Sequence, residues 1–255
     1  MPSELHAYAS GGGRVLSPTE RRWELSVPAG PATSYRLAQL DDYAHRPSRA
    51  DFPHHPPTRL QVRAQVSDPA APGTWGFGFW NDPFGSTLTV RGSGRRWPSL
   101  PQAAWFFYAS PPNHLAFRDD QPAQGLLAAT FRSLPVPLPL LLLAAPLAPA
   151  LLVRPAARLL RRLARRFVAE DAQRLDLDPT GWHGYDLEWE PERVAFGVDG
   201  ETVFETDVSP RGPLGLVLWV DNQYAAFPPD GRVRFGSLAA GEPVRLELAH
   251  IRLEP

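Results

Sequence analysis

The sequence contains no cysteine. A disulfide framework, a zinc–thiolate site and a thiol nucleophile are therefore excluded. Lysine is absent too, so all 26 basic residues are arginine. Together with a single methionine and a single isoleucine, this follows the codon bias of a GC-rich genome, and arginine content by itself says little about function. An excess of charge of either sign is also missing. The formal net charge is -1, which argues against a whole-protein field that would draw in nucleic acid. The first residues, MPSELHAYASGGGRV, lack the basic segment and apolar stretch of a secretory signal. The expectation is a cytoplasmic protein, or one held peripherally at the inner membrane face. A mature fragment numbered from an artificial start is the alternative.

What is present is globular composition, 43% hydrophobic and 21% charged. Short alternating runs recur along the chain. In 59–67, Leu60, Val62, Ala64 and Val66 share one face, and Gln61, Arg63 and Gln65 the other. Runs at 74–80, 86–90, 103–110, 114–117, 125–131, 182–190, 193–198, 201–206, 213–220 and 244–254 have the same aromatic and β-branched character. Gly, Pro, Asn and Asp punctuate them. Asp199-Gly200 supplies the positive φ angles of a tight hairpin turn. About a dozen strands in one chain of this length predict two packed sheets. Only 150–172 reads as a helix. Leu152, Ala156, Leu159, Leu160, Leu163 and Phe167 form its apolar face, and Arg154, Arg158, Arg161, Arg162, Arg165 and Arg166 its basic face.

Several stretches together resemble glycoside hydrolase family 16. GTWGFGFW is similar to that family's GxWPAFW strand, and WHGYDLEWEPERVAFGVDGETVF to its H-x-Y-x-x-E-W-x-P hairpin with a closing V-D-G. PLGLVLWVDNQYA and VRLELAHIRLEP resemble its cleft strand and its closing strand. The resemblance covers roughly 20–131 and 181–254, in the family's order. It implies an all-β, concanavalin A-like jelly-roll β-sandwich over 1–255, with a concave sheet forming a saccharide cleft. One amphipathic α-helical insertion, 134–172, lies outside the pattern.

The family's E-x-D-x-x-E strand has no counterpart. It would fall on 101–110, where Gln102, Ala104 and Phe107 occupy the three positions, and no Asp or Glu occurs from 83 to 118. Retaining glycoside hydrolysis needs two carboxyls about 5 Å apart. Without them the resemblance does not carry the reaction.

Alternation places Val217, Trp219 and Asp221 toward the cleft if Leu216, Leu218 and Val220 face the core. The same logic puts Gly76, Gly78, Trp80 and Asp82 there, along with Arg63 and Gln65, and Asn222 and Tyr224 at the strand end. Flat aromatics stack on sugar C–H faces, short polar groups read hydroxyls, and glycines admit a ligand to the backbone. Each of these residues also has a plain structural role open to it. Glu188 and Glu190 are expected to be exposed strand residues. Asp51, His54 and His55 in DFPHHPP, and Asp176 and Asp178 in DLDPTG, are read as loop residues, not metal ligands. Gly11–Gly13 is not a phosphate loop, and no G-x-S-x-G elbow occurs.

Residues 134–153 carry no charge, and their length suits one bilayer crossing. Five prolines, at 135, 137, 139, 146 and 149, oppose a spanning helix. Both flanks also belong to one sandwich. The two remaining readings are a helix and loop packed on the sandwich, burying Leu152, Leu159, Leu163 and Phe167, and an interfacial helix whose six arginines meet an anionic membrane. The function expected is non-catalytic binding of a saccharide or glycolipid-like ligand, with no cofactor and no metal. A relocated acid/base pair, Asp82 and Asp221, is the enzymatic alternative. A membrane or protein-interaction module acting through 134–172 is the third.

Overall fold

The computed structural model describes residues 4–83, 85, 96–136 and 153–255. Two antiparallel sheets of seven strands carry the chain. The first runs in the order β1 (His6–Ser10), β4 (Leu37–Asp41), β13 (Gly215–Asp221), β6 (Thr74–Trp80), β7 (Ala103–Ala109), β8 (Gly125–Ser133), β9 (Val168–Arg174). The second runs β12 (Glu201–Thr206), β11 (Val194–Val198), β10 (His183–Trp189), β5 (Thr58–Val66), β16 (Val244–Glu254), β3 (Arg22–Val27), β2 (Arg14–Thr19). A two-stranded ribbon joins β14 (Gln223–Ala226) to β15 (Arg234–Ser237).

Period-two patterning fixes which residues meet between the sheets. Leu60, Val62, Ala64 and Val66 are buried there, as their alternation requires, with Leu216, Leu218 and Val220 facing them. Aromatic rings fill the centre: Phe106 stands edge-on to Tyr185 at 4.9 Å and to Phe196 at 5.2 Å. Trp189, fully buried, donates its indole N–H to the Pro210 carbonyl at 3.1 Å, so its polar atom is satisfied. The Asp199-Gly200 hairpin forms as expected, with φ of 52° and 90° joining β11 to β12 through two residues.

Three expectations are corrected. His114–Phe117 forms no strand, only a single bridge from His114 to Ala226. The helix, α1, is short, spanning Arg154–Ala164. Residues 168–172, assigned to the insertion, belong to the edge strand β9. Its sequence, VAEDAQR, is too polar to register as a strand by alternation. The run at 86–90 lies outside the described residues.

The excursion between β8 and β9 leaves and returns at neighbouring points. Leu134 donates its backbone N–H to the Phe167 carbonyl at 2.8 Å, closing the neck. No helix among the described residues is long and apolar enough to cross a membrane.

Candidate functional site

The outward face of the first sheet is a continuous aromatic floor. Strand register sets it out in rows. One row reads Trp80, Ala103, Phe131, Glu170. The next reads Val217, Gly78, Trp105, Ala129, and the third Trp219, Gly76, Phe107, Leu127. Gly76, Gly78, Ala103 and Ala129 are set among the large side chains of these rows, which leaves room for the rings to lean over them. A Cβ on Gly76 would come within 2.8 Å of Trp219 Cη2, and one on Gly78 within 2.6 Å of Trp105 Cβ. Trp105 is the hub. Its ring centroid lies 5.9 Å from Trp80, 5.4 Å from Phe107 and 5.5 Å from Trp219. These separations suit offset and tilted aromatic contacts. The glycines therefore do not open the backbone to a ligand, as their sequence positions suggested, because the Trp219 indole and the Phe106 carbonyl fill that space at Gly76, and the Ala104 carbonyl and the Trp105 Cα and Cβ fill it at Gly78.

Trp80 and Trp105 are half-buried, whereas Trp219 is buried. A cavity of about 40 Å³ opens beside Trp105, Phe107 and Phe131, under Leu115 and Pro122.

Asp221 lies at the end of the third row's strand and is wholly enclosed. It accepts from Thr74 Oγ1 at 2.7 Å, Tyr35 Oη at 3.2 Å and the Gln223 N–H at 3.2 Å. Thr74 Oγ1 in turn accepts the Trp219 indole N–H at 2.9 Å. Burial pushes the Asp221 carboxyl up to about 6, with these hydrogen bonds opposing the shift. Asp221 thus positions Trp219 through Thr74.

Asp82 lies far from it. Asp221 pairs with Thr74, eight residues before Asp82 on the same run of chain. At about 3.3 Å per residue the six steps along β6 from Thr74 to Trp80 alone span about 20 Å, and Asp82 follows two residues beyond. That is well beyond the spacing of either glycosidase geometry, so Asp82 and Asp221 do not form an acid/base pair. Asp82 instead pairs with Arg96 at 2.9 Å, and both side chains are buried. Burial raises its carboxyl, and Arg96 opposes that rise.

The other sequence candidates separate in the same way. Arg63 and Gln65 stand on β5, in the second sheet, because the alternation that placed them outward could not say from which sheet. Arg63 lies over the Trp182 ring at 5.6 Å, and Gln65 donates to Glu247 at 2.9 Å. Asn222 is fully buried. It accepts the Arg36 N–H at 2.7 Å and donates to the Ser34 and Leu238 carbonyls at 3.0 and 2.8 Å. Tyr224, half-buried on β14, packs on Gly236. His54 bonds to buried Asp42 at 2.6 Å, and no cluster among the described residues has the makings of a metal site.

Strand β7, onto which the sequence resemblance mapped the missing acidic positions, runs in unbroken register with β6 and β8. Ala104 therefore faces the inter-sheet core, and Gln102, just before the strand, bonds to the Ser133 carbonyl at 2.8 Å and accepts the Arg211 N–H at 2.9 Å. Phe107 alone of the three faces outward. Sequence reasoning missed Trp105, Phe131 and Glu170. The alternation of Trp105 and Phe107 against Phe106 and Tyr108 was the signal for the first. Glu170 had none, since β9 was not recognised. Its carboxylate accepts the Phe117 N–H at 3.0 Å and the Arg118 N–H, and burial raises it.

Arg161 and Arg165 do not face solvent as a basic stripe. Arg161 is 7% exposed and donates to the Phe227 and Ala116 carbonyls at 2.8 and 2.9 Å and to Asp119 at 2.9 Å. Arg165 pairs with Asp119 at 2.7 Å. The helix rests on the Ala157–Arg161 side. Leu159, Leu163 and Phe167, expected in the interface, are exposed. Leu152 lies outside the described residues.

No protein-family model matches the chain, and no curated protein matches it. Solved structures match its fold. A beta-1,3-1,4-glucanase (lichenase) derived from a mouse hindgut metagenome is 13% identical, over 100% of this chain and 94% of its own, with a TM-score of 0.50. The kappa-carrageenase from Pseudoalteromonas carrageenovora, in complex with an oligotetrasaccharide of kappa-carrageenan, is 11% identical over 95% and 82%, with a TM-score of 0.52. A family 16 endo-glucanase from Bacteroides ovatus is 7% identical over 100% and 96%, with a TM-score of 0.50. The fold is a glycoside hydrolase family 16-like jelly roll.

Proposed function

We propose that this protein is a non-catalytic saccharide-binding jelly roll, and that its ligand lies on the aromatic floor of the first sheet. The observation that carries this reading is the interlocked platform of Trp80, Trp105, Phe107, Phe131 and Trp219. Such a surface is rigid before the ligand arrives, so little side-chain ordering is left to oppose binding. It suits a sugar ring that presents a flat C–H face.

The carboxylates on this face support binding over hydrolysis. Asp41 accepts from Gln39 at 2.8 Å and from the Ala44 N–H at 2.8 Å. Asp221 and Glu170 are likewise held by donors from within the protein. The structural neighbours supply the first ligands to try, mixed-linkage beta-1,3-1,4-glucan and kappa-carrageenan oligosaccharides. Calorimetric titration of each tests the reading. Trp105→Ala and Trp80→Ala should each weaken binding at least tenfold, with no new reducing ends released by the parent protein. Unchanged affinity in both variants would remove the floor as the site. Sustained release of reducing ends would make the protein an enzyme.

A further inference from the structure

Exposed large apolar side chains gather around one element: Leu134 (50%), Val153 (57%), Leu159 (51%), Leu163 (38%) and Phe167 (44%). Leu159 and Leu163 are one helical turn apart on α1, so they share a face. Phe167 follows just past the helix end, joined through its carbonyl to Leu134. On the adjacent flank stand Arg154, Arg158 and Arg162, with Arg166 beyond the helix end, all exposed. None of these four arginines takes part in an ion pair among the described residues. From Arg154 to Phe167 the chain carries six arginines and no acidic residue.

The helix cannot roll over to hide its leucines. Its opposite side is fixed by buried Ala157 and by the Arg161 guanidinium, which is bonded to three carbonyls at Ala116, Phe117 and Phe227 as well as to Asp119. Freeing Arg161 would strand a buried charge and several carbonyls.

We infer that α1 and its flanks form a docking face for an anionic lipid surface, with Leu159, Leu163, Phe167 and Leu134 entering the acyl boundary and Arg158, Arg162 and Arg166 meeting the phosphates. In a protein with a net charge of -1, residues 154–167 carry basic charge alone, and four of the six arginines are exposed outside any ion pair among the described residues, beside an apolar ridge. That pairing is the pattern of helices lying in the headgroup plane. Guanidinium groups form forked hydrogen bonds to phosphate, which suits arginine to this position.

The test is co-sedimentation of the full chain with vesicles of 7:3 phosphatidylcholine and phosphatidylserine, and with phosphatidylcholine alone, in 50 mM and 500 mM salt. The parent protein should bind the mixed vesicles in low salt and lose at least tenfold of that affinity in high salt or without phosphatidylserine. Leu159→Ser/Leu163→Ser and Arg162→Gln/Arg166→Gln should each lose at least tenfold. These positions are exposed, and unchanged thermal melting shows that the variants fold. Arg245→Gln, on the exposed face of β16, should bind as the parent does. Absence of binding in low salt overturns the inference, as does equal binding by both double variants. Concentration-dependent dimerisation without vesicles, abolished by Leu159→Ser/Leu163→Ser, would also overturn it and assign the face to a second copy of the chain.

Discussion

The indole of Trp219 lies over Gly76, in the place where any other residue would put its Cβ. A methyl group there would also collide with the Phe106 carbonyl, so neither ring nor backbone could stay where it is. Gly76→Ala should therefore destabilise the fold by about 1–3 kcal/mol, the usual cost of overpacking. Urea denaturation followed by tryptophan fluorescence would read this directly, and the emission of the folded state should shift as Trp219 is displaced.

Asp221 makes stability depend on pH. Its carboxyl titrates at about 6 in the fold, against an ordinary value of 3.8. The folded state then binds the proton more tightly than the unfolded one. The resulting contribution is complete below pH 3.8 and is lost as pH rises through 6. A shift of about two units corresponds to about 3 kcal/mol at most. Asp221→Asn keeps an acceptor for Thr74 but cannot ionise. The stability difference between variant and parent should grow in the variant's favour from pH 4 to pH 7 and then level off.

Arg96 and Asp82 form a buried pair that has no exit to water. Arg96→Met leaves the carboxylate unpaired and should cost about 3–5 kcal/mol. Adding Asp82→Asn should recover much of that loss, because the stranded charge is removed. A double-mutant cycle of unfolding free energies measures the coupling.

Asn222 holds three backbone groups in a buried turn. Asn222→Ala should cost about 2–4 kcal/mol through unsatisfied partners. Saccharide affinity measured on the folded fraction should not change, which separates a supporting residue from a ligand contact.

Much of the sandwich was legible in the sequence. The runs at 74–80, 201–206 and 244–254 became strands with those same ends, because alternation and β-branched content report directly on a half-buried pleat. Strands β1 to β4, β9 and the β14–β15 ribbon were not legible as strands. Of these, β1, β2 and β9 lie at sheet edges, where one side chain in two no longer has to be apolar, so the period disappears; β4 is interior and buried on both faces, which hides the alternation in the opposite way. The cleft was half legible. Alternation assigned Trp80, Val217 and Trp219 to the outward face, but it is blind to which sheet a strand joins, and so Arg63 and Gln65 went to the wrong side of the molecule. The helix misled for another reason. An apolar face usually means a buried face, yet here Arg161 finds more partners beneath the helix than Leu159 would, and the burial of a satisfied guanidinium sets the roll angle.

The hydrogen bond between Leu134 and Phe167 has a consequence for how this chain can vary. It closes the neck of an appendage between β8 and β9, hung on what is otherwise a hairpin, whose helix is clipped to the body through Arg161 and Arg165. Loop closure costs grow only slowly with length, so the part of that appendage that precedes Val153 can lengthen or shorten at little thermodynamic expense to the sandwich. Whatever the segment binds can thus change without retuning the aromatic floor, and the two surfaces are free to acquire their partners independently.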